Sequence, residues 1–406
     1  MTAAVRQLVS GLAPDALPAY VYDLAALRAH AAAVRAALPD GVELYYAAKA
    51  NPEPEILAAL ADSVDGYEAS SGGELAHLHQ VLPHAVLAFG GPGKTPAEMA
   101  QALRIGVRRW HLESEQELRR LAALLAGMPG RTVDVLLRLN LRAGSGALDS
   151  VALAMGGRPT PFGLDPAQAQ RCLRLLAAPG FERLRLRGVH AHLASGLDAP
   201  AQLAVTEQIV HRAVELAERH GFELAEVNAG GGMAVDYADP ARRFDWTAFG
   251  AGLAELLNRN PGLRLRIEPG RALTAYCGYY ATEVLDVKQS YGQDFAVLRG
   301  GTHHLRTPAT RGHDQPFTVV PVADWPHPWA RPAVTTGRAT LTGQLCTPKD
   351  VLAHQAPVNA LRATDRVMFE LAGAYAWNIS HHDFLMHPRP SFHFLDPGHL
   401  AAEGPR

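Results

Sequence analysis

Apolar and polar positions alternate in two rhythms along this chain. At "DLAALRAHAAAVRAAL" (23–38) apolar side chains recur every three to four positions, which predicts a helix with Asp23 as its N-cap. The next run, "VELYYAAK" (42–49), is short and almost continuously apolar and reads as a buried strand. Pro52 stops it, because proline lacks a backbone donor and drives its predecessor out of helical geometry. "EPEILAALADS" (53–63) returns to the helical period, with Ile56, Leu57 and Leu60 on one face. The exchange then repeats. Further strand candidates are "VDGYEAS", "AVLAFG", "RRWHLE", "VDVLLRLN", "LRGVHAHL", "LAEVNAG" and "LRLRIEPG". Between them lie helical segments such as "GGELAHLHQVL", "TPAEMAQALRIG", "EQELRRLAALLA", "PAQAQRCLRLLAA" and "QLAVTEQIVHRAVELAERHG". Eight strands separated by helices predict an α/β fold, a closed parallel (β/α)8 barrel over residues 22–271. A doubly wound open sheet is the alternative.

Beyond residue 271 the rhythm changes. "YYATEVLDVKQS", "DFAVLRGG", "FTVVPVA", "AVTTGRATLTGQLC" and "DRVMFELAGAY" are strand-like, with Gly, Pro or Asp between them. They predict a β domain, a sandwich or small barrel, over 272–395, joined by residues 1–21. Residues 396–406 read as a frayed tail.

Composition narrows the function. A formal net charge of −2 gives no reason to expect nucleic acid or an anionic membrane as partner. No apolar run reaches membrane-spanning length, and the N-terminus lacks the basic start and apolar core of a signal peptide. Cys172, Cys277 and Cys346 have no metal-ligand spacing and are too few for a disulfide framework, so no metal is expected and a reducing cytoplasm is the expected location.

Barrels of this kind carry their active sites at the carboxyl ends of the strands. Here those ends read Lys49, Glu68, Arg138 with Asn140, His192, Gly230 to Gly232, and Glu268 with Arg271. Lys49 is either a solvated loop lysine or an amine able to form a Schiff base with a carbonyl compound or pyridoxal phosphate. The glycine triplet makes a tight turn or lets backbone amides approach an anion, and "ASG" (194–196) and "EPGR" (268–271) would add a hydroxyl and more donors. Glu268 either caps a loop or faces a pyridine nitrogen; in the latter place a carboxylate keeps the ring protonated and a strong electron sink, which suits decarboxylation. His190 and His192 alternate along a strand and share a face. One fits a core histidine, the other an imidazole stacked on a flat cofactor.

These segments resemble the pyridoxal-phosphate decarboxylases of fold type III, the family of diaminopimelate and ornithine decarboxylases. The resemblance is carried by "YYAAKANP", "HLASG", "AGGGMA", "EPGR", "GQLCTPKD" and "GAY" (373–375), with softer matches at "SSGGEL" and "PFGL", and runs in family order from about residue 20 to 390. It implies pyridoxal 5'-phosphate as cofactor, with Lys49 holding it and His192 stacked on its ring. Glu68, Arg138, Ser195, Gly231, Gly232, Gly270, Arg271 and Tyr375 would complete the cofactor site, and Glu268 would pair with the pyridine nitrogen. Cys346 would return a proton to the α-carbon after carbon dioxide leaves. Cys346 and Asp350, the latter to bind substrate, would come from a partner subunit, which implies a homodimer.

The expected substrate is a small-molecule amino-acid compound, and the segments beyond the barrel bear on which. Family members acting on diamino acids place an acidic residue after the cysteine; here Thr347, Pro348 and Lys349 follow. The candidate substrate segments are basic, with His303, His304, Arg306 and Arg311 in one, and Asn378, His381, His382 and Arg389 in the other. As a solvated loop they would mean little; as a rim, guanidinium and imidazole groups suit a polyanionic substrate. Both segments resemble the siderophore-biosynthesis branch of the family, which implies a citryl-diamino acid such as citryl-diaminopropionate. A diaminopimelate-type decarboxylase is the alternative, with Arg306 reading a carboxylate. A racemase on the same barrel is disfavoured by Glu268, and a non-catalytic cofactor carrier by the β domain with Cys346 and Tyr375.

Overall fold

A computed structural model describes residues 1–142, 153, 154 and 156–396; all but the first residue of the expected tail lies outside them. The chain divides into two compact units, one of residues 30–234 and 244–273, the other of residues 1–29, 235–243 and 274–406.

The first unit is built on a closed parallel barrel of eight strands. In chain order they are Val42–Ala47, Gly66–Ala69, Leu87–Phe89, Arg109–Leu112, Val133–Arg138, Leu184–His190, Glu226–Asn228 and Arg264–Ile267. Each pairs with the next, and the eighth returns to the first through Leu265↔Val42 and Ile267↔Leu44. All eight expected strands are present. Strands of a parallel barrel are covered on both faces, which is why the strand Val42–Ala47 appears as a nearly continuous apolar run, whereas Leu184–His190 and Arg264–Ile267 carry arginines between their apolar residues.

Most of the helices around the barrel start on side-chain caps, the short helix Pro54–Leu60 being an exception. Asp23 Oδ1 accepts from Ala26 N at 2.9 Å, and Ser71, Ser114, Asp165 and Asp198 each accept from a first-turn amide. Thr95 and Glu98 form a reciprocal capping box. A helix at Trp246–Arg259, not singled out from the sequence, packs backbone-close: a Cβ on Gly250 would stand 1.8 Å from Ala37 O.

One irregularity positions the site. Between the fifth and sixth strands the register slips, so that Leu186 faces Val135 but Gly188 faces Leu136, leaving Arg187 as an extra residue. Such a bulge re-aims the side chains that follow. Gly188 has φ +154, and a Cβ there would fall 1.8 Å from Glu226 O on the neighbouring strand. Past the bulge, Arg138 and His190 lie in register at the strand ends.

The second unit is one eight-stranded mixed sheet. Gly278–Ser290 is its long strand, flanked by Gln293–Leu298 and Arg366–Phe369, with Phe317–Val320, Arg338–Thr342 and Val351–Pro357 further out. Ala19–Asp23 joins antiparallel to Gly278–Ser290 and parallel to Ser391–Leu395. A helix at Ala3–Gly11 lays Val5 and Val9 on Leu17, Val21, Tyr279 and Met368. Among the described residues no helix is long and apolar enough to cross a membrane.

Because the bulge leaves no room for a methyl, Gly188→Ala is expected to lower stability by about 1–3 kcal/mol. Gly93→Ala, whose Cβ meets nothing within 4 Å, is the control and should be near neutral. Urea unfolding of both variants measures this; equal midpoints would refute the packing constraint.

Candidate active site

Lys49 lies in a single turn, Ala48–Ala50, directly after the first strand. Its amine is 2.5 Å from Glu68 Oε2 at the end of the second strand, and Glu68 Oε1 accepts from Ser70 Oγ at 2.9 Å. Burial pushes the Glu68 carboxyl up, but Lys49 and Ser70 more than offset it and hold the group below its ordinary range. Gly90 makes room beside it, since a Cβ there would stand 2.7 Å from Glu68 Oε1.

Glu268 follows the eighth strand and is buried. Its Oε1 accepts from Asn228 Nδ2 at 2.6 Å. His111 Nε2 and His190 Nε2 each stand 3.8 Å from one of its oxygens. Burial and then the nearby Glu68 charge raise the Glu268 carboxyl to about 7, although Asn228 and Lys49 pull the other way. The His111 and His190 rings stack at 4.3 Å, and burial holds both well below the usual imidazole range. Neither ring nitrogen of His190 has a hydrogen-bond partner among the described residues.

His192 presents a neutral ring, lowered to about 3 by burial and then by the Arg138 and Lys49 charges. Its Nδ1 accepts from Gly231 N at 3.2 Å, and its Nε2 lies 3.4 Å from Ser195 Oγ. The glycine triplet is a matter of clearance rather than turn-making alone. A Cβ on Gly230 would stand 2.8 Å from His192, one on Gly231 2.6 Å from Glu268 O, and one on Gly232, at φ +116, 2.5 Å from Ala194 O. Gly270 is buried and Arg271, partly exposed, opens a short helix immediately after. Arg138 is tied to Glu113 at 2.7 Å, whose other oxygen accepts from Gly163 N at 3.0 Å. Thus Lys49, Glu68, Arg138, His192, Ser195, Gly231, Gly232 and Glu268 all belong to the barrel unit, as read from the strand ends.

In the sheet unit Cys346 is exposed, while Cys172 in the barrel and Cys277 are buried; all three are free thiols. Tyr375 is half-buried with φ +50, and its carbonyl accepts from Thr307 Oγ1. Arg306, Asn378 and His381 are exposed. His382 is half-buried, with Nε2 3.0 Å from Trp377 O. Three expected substrate residues make contacts within this unit. His303 and His304 are buried, and burial lowers them to about 4 and about 3, so neither is a cation at neutral pH. Both nitrogens of His304 are engaged, with Tyr280 Oη at 3.0 Å and Pro388 O at 3.1 Å. Asp350 accepts from Thr302 N at 2.6 Å, Thr302 Oγ1 at 2.8 Å and Leu345 N at 2.8 Å, joining two loops.

His111, His190 and Glu268 bring ligand atoms within 4.8 Å of one another. Asn228 Nδ2 donates to Glu268 Oε1 and lies 3.2 Å from His111 Nε2, so a donor sits where a cation would need lone pairs. The site fits pyridoxal phosphate instead: an amine, a buried carboxyl, unpartnered imidazole nitrogens and a backbone cradle cleared of side chains.

Comparison with known proteins agrees. Residues 24–275 match the family model of the pyridoxal-dependent decarboxylases, in its pyridoxal binding domain. The chain belongs to this family, and pyridoxal phosphate is its cofactor. It is 39% identical to 2-[(L-alanin-3-ylcarbamoyl)methyl]-2-hydroxybutanedioate decarboxylase of Staphylococcus aureus, covering 93% of each chain. It is 31% identical to diaminopimelate decarboxylase of Actinosynnema pretiosum, covering 88% of this chain and 79% of that one. In fold it is similar to diaminopimelate decarboxylase of Helicobacter pylori, with a TM-score of 0.82 at 22% identity over 97% of this chain and 94% of that one.

His111, Asn228 and Glu113 escaped the sequence reading. Each is a polar residue at or beside a strand end, and only its position at the same end of the barrel as Lys49 and Glu268 could have marked it.

Since folded Glu268 keeps its proton to about 7 while the unfolded chain releases it in the ordinary carboxylate range, it contributes stability that is present at acid pH and lost as pH rises through 7. The cofactor-free protein should therefore lose more stability between pH 5 and 8 than its E268Q variant, whatever the buried histidines contribute to both. Urea midpoints across that range measure the difference, and parallel curves would contradict it.

Proposed function

We propose that this decarboxylase removes the α-carboxylate of a citryl-diamino acid, citryl-L-2,3-diaminopropionate foremost, in the assembly of a carboxylate siderophore. The observation that carries the reading is the 39% identity, over 93% of both chains, to the Staphylococcus aureus enzyme. Its substrate name describes a citryl group in amide linkage to the side chain of diaminopropionate. Two features of the chain support it. Thr347, not an acid, follows Cys346, so a simple diamino acid would lack its counter-charge. Positive charge in the candidate substrate segments rests on the exposed Arg306, Arg311 and Arg389 rather than on the neutral His303 and His304. Guanidinium forks suit the citryl carboxylates.

In this reading Lys49 would supply the amine to which the cofactor attaches, and Ser195, Gly231, Gly232, Gly270 and Arg271 would hold its phosphate, with Tyr375 added by the family resemblance. The bound cofactor supplies an electron sink for the pair left on the α-carbon when carbon dioxide departs. Glu268 would hold the proton on the pyridine nitrogen, His192 would offer its neutral ring to the cofactor, and Glu68 keeps the Lys49 amine oriented. Cys346 returns a proton to the α-carbon. The enzyme is read as a cytoplasmic homodimer, to which its three free thiols are suited.

Carbon dioxide release by the cofactor-loaded protein, with citryl-diaminopropionate and meso-diaminopimelate offered side by side, tests the substrate. Release from the citryl compound is expected. Release from diaminopimelate alone would keep the chemistry and overturn the substrate reading.

A further inference from the structure

Asn228 closes the seventh strand, is fully buried, and uses its amide in three directions. Its Oδ1 accepts from Gly230 N at 2.9 Å. That bond decides which way the amide lies, because a backbone N–H needs an oxygen opposite it. The Nδ2 group is thereby turned into the barrel, where its two hydrogens meet two acceptors: Glu268 Oε1 at 2.6 Å and His111 Nε2 at 3.2 Å. His111, accepting at Nε2, carries its hydrogen on Nδ1 and stacks on His190.

We infer that Asn228 is a positioning residue for decarboxylation, which takes up Glu268 Oε1 and thereby assigns Oε2 to the cofactor's ring nitrogen. The inference rests on the role given to Glu268 above. A carboxylate with both oxygens free could rotate or turn toward Lys49; one oxygen bonded to a rigid strand-end amide removes that freedom. The same amide ties the carboxylate to the glycine loop through Gly230, so the two ends of the cofactor site share one hinge-free anchor. Among the groups acting on Glu268 are Glu68, Lys49 and Arg266, besides the two histidines. Asn228 donates a hydrogen bond to the carboxylate and so favours its charged form.

The test uses the cofactor-free protein with 13C-labelled glutamate, so that no substrate enters. In Asn228→Ala the Glu268 midpoint should rise from about 7 by about one pH unit. Asn228→Asp keeps an acceptor for Gly230 but sets an oxygen against the carboxylate, and should raise the midpoint further. The double variant N228D/E268Q again faces a donor with an acceptor, and its urea midpoint should exceed the sum of the single effects. With cofactor bound, Asn228→Ala should keep its cofactor content and lose about tenfold in kcat, with KM little changed. Unmoved Glu268 midpoints in both single variants, or strict additivity in the double variant, would overturn the inference. If only the substrate assignment were wrong, the titrations would still shift as stated.

Discussion

Two buried carboxyl groups within one barrel cannot both carry full charge cheaply, and the protonation pattern of the site follows from how they are kept apart. Glu68 has Lys49 at 2.5 Å and a serine hydroxyl, and stays ionised. Glu268 has burial and the Glu68 charge against it and is raised to about 7. Two titratable groups driven in opposite directions by their surroundings are what separates roles in catalysis. A carboxyl poised near 7 is matched to a protonated ring nitrogen: it can give or share the proton without a large cost in either direction.

The barrel serves this electrostatic arrangement by clearance. Gly90 leaves space for Glu68, Gly230 for His192, Gly231 for the backbone at Glu268, and Gly188 for the bulge that sets His190. None of these positions would tolerate a methyl without moving backbone or a site residue. Neutral imidazoles complete the pattern. His111, His190 and His192 all sit below their ordinary range through burial, so the interior holds flat, uncharged rings rather than further cations that would compete for the carboxylates.

Much of this was legible in the sequence because buried parallel strands advertise themselves, and because chemistry concentrates at their carboxyl ends. "VELYYAAK" and "LRLRIEPG" reveal both a strand and the residue it delivers. The strands Val351–Pro357 and Ser391–Leu395 were not read, since "VLAHQAP" and "SFHFL" are short, mix polar with apolar residues, and acquire their partners only in the assembled sheet. His303 and His304 mislead in the opposite sense: adjacent histidines beside an arginine look like a cationic rim, yet burial makes them neutral. Asp350 joins two loops within this unit, a part that the sequence does not announce. Asn228 gives no local sign, because its importance lies in three partners from three other places in the chain.

Glu268 is proposed to govern the protonation of the cofactor's ring nitrogen. The most direct measurement is the 15N chemical shift of pyridine-labelled pyridoxal phosphate bound to the wild-type protein and to E268Q at pH 8. A protonated ring is expected in the wild type and an unprotonated one in the variant. The same shift in both would contradict it.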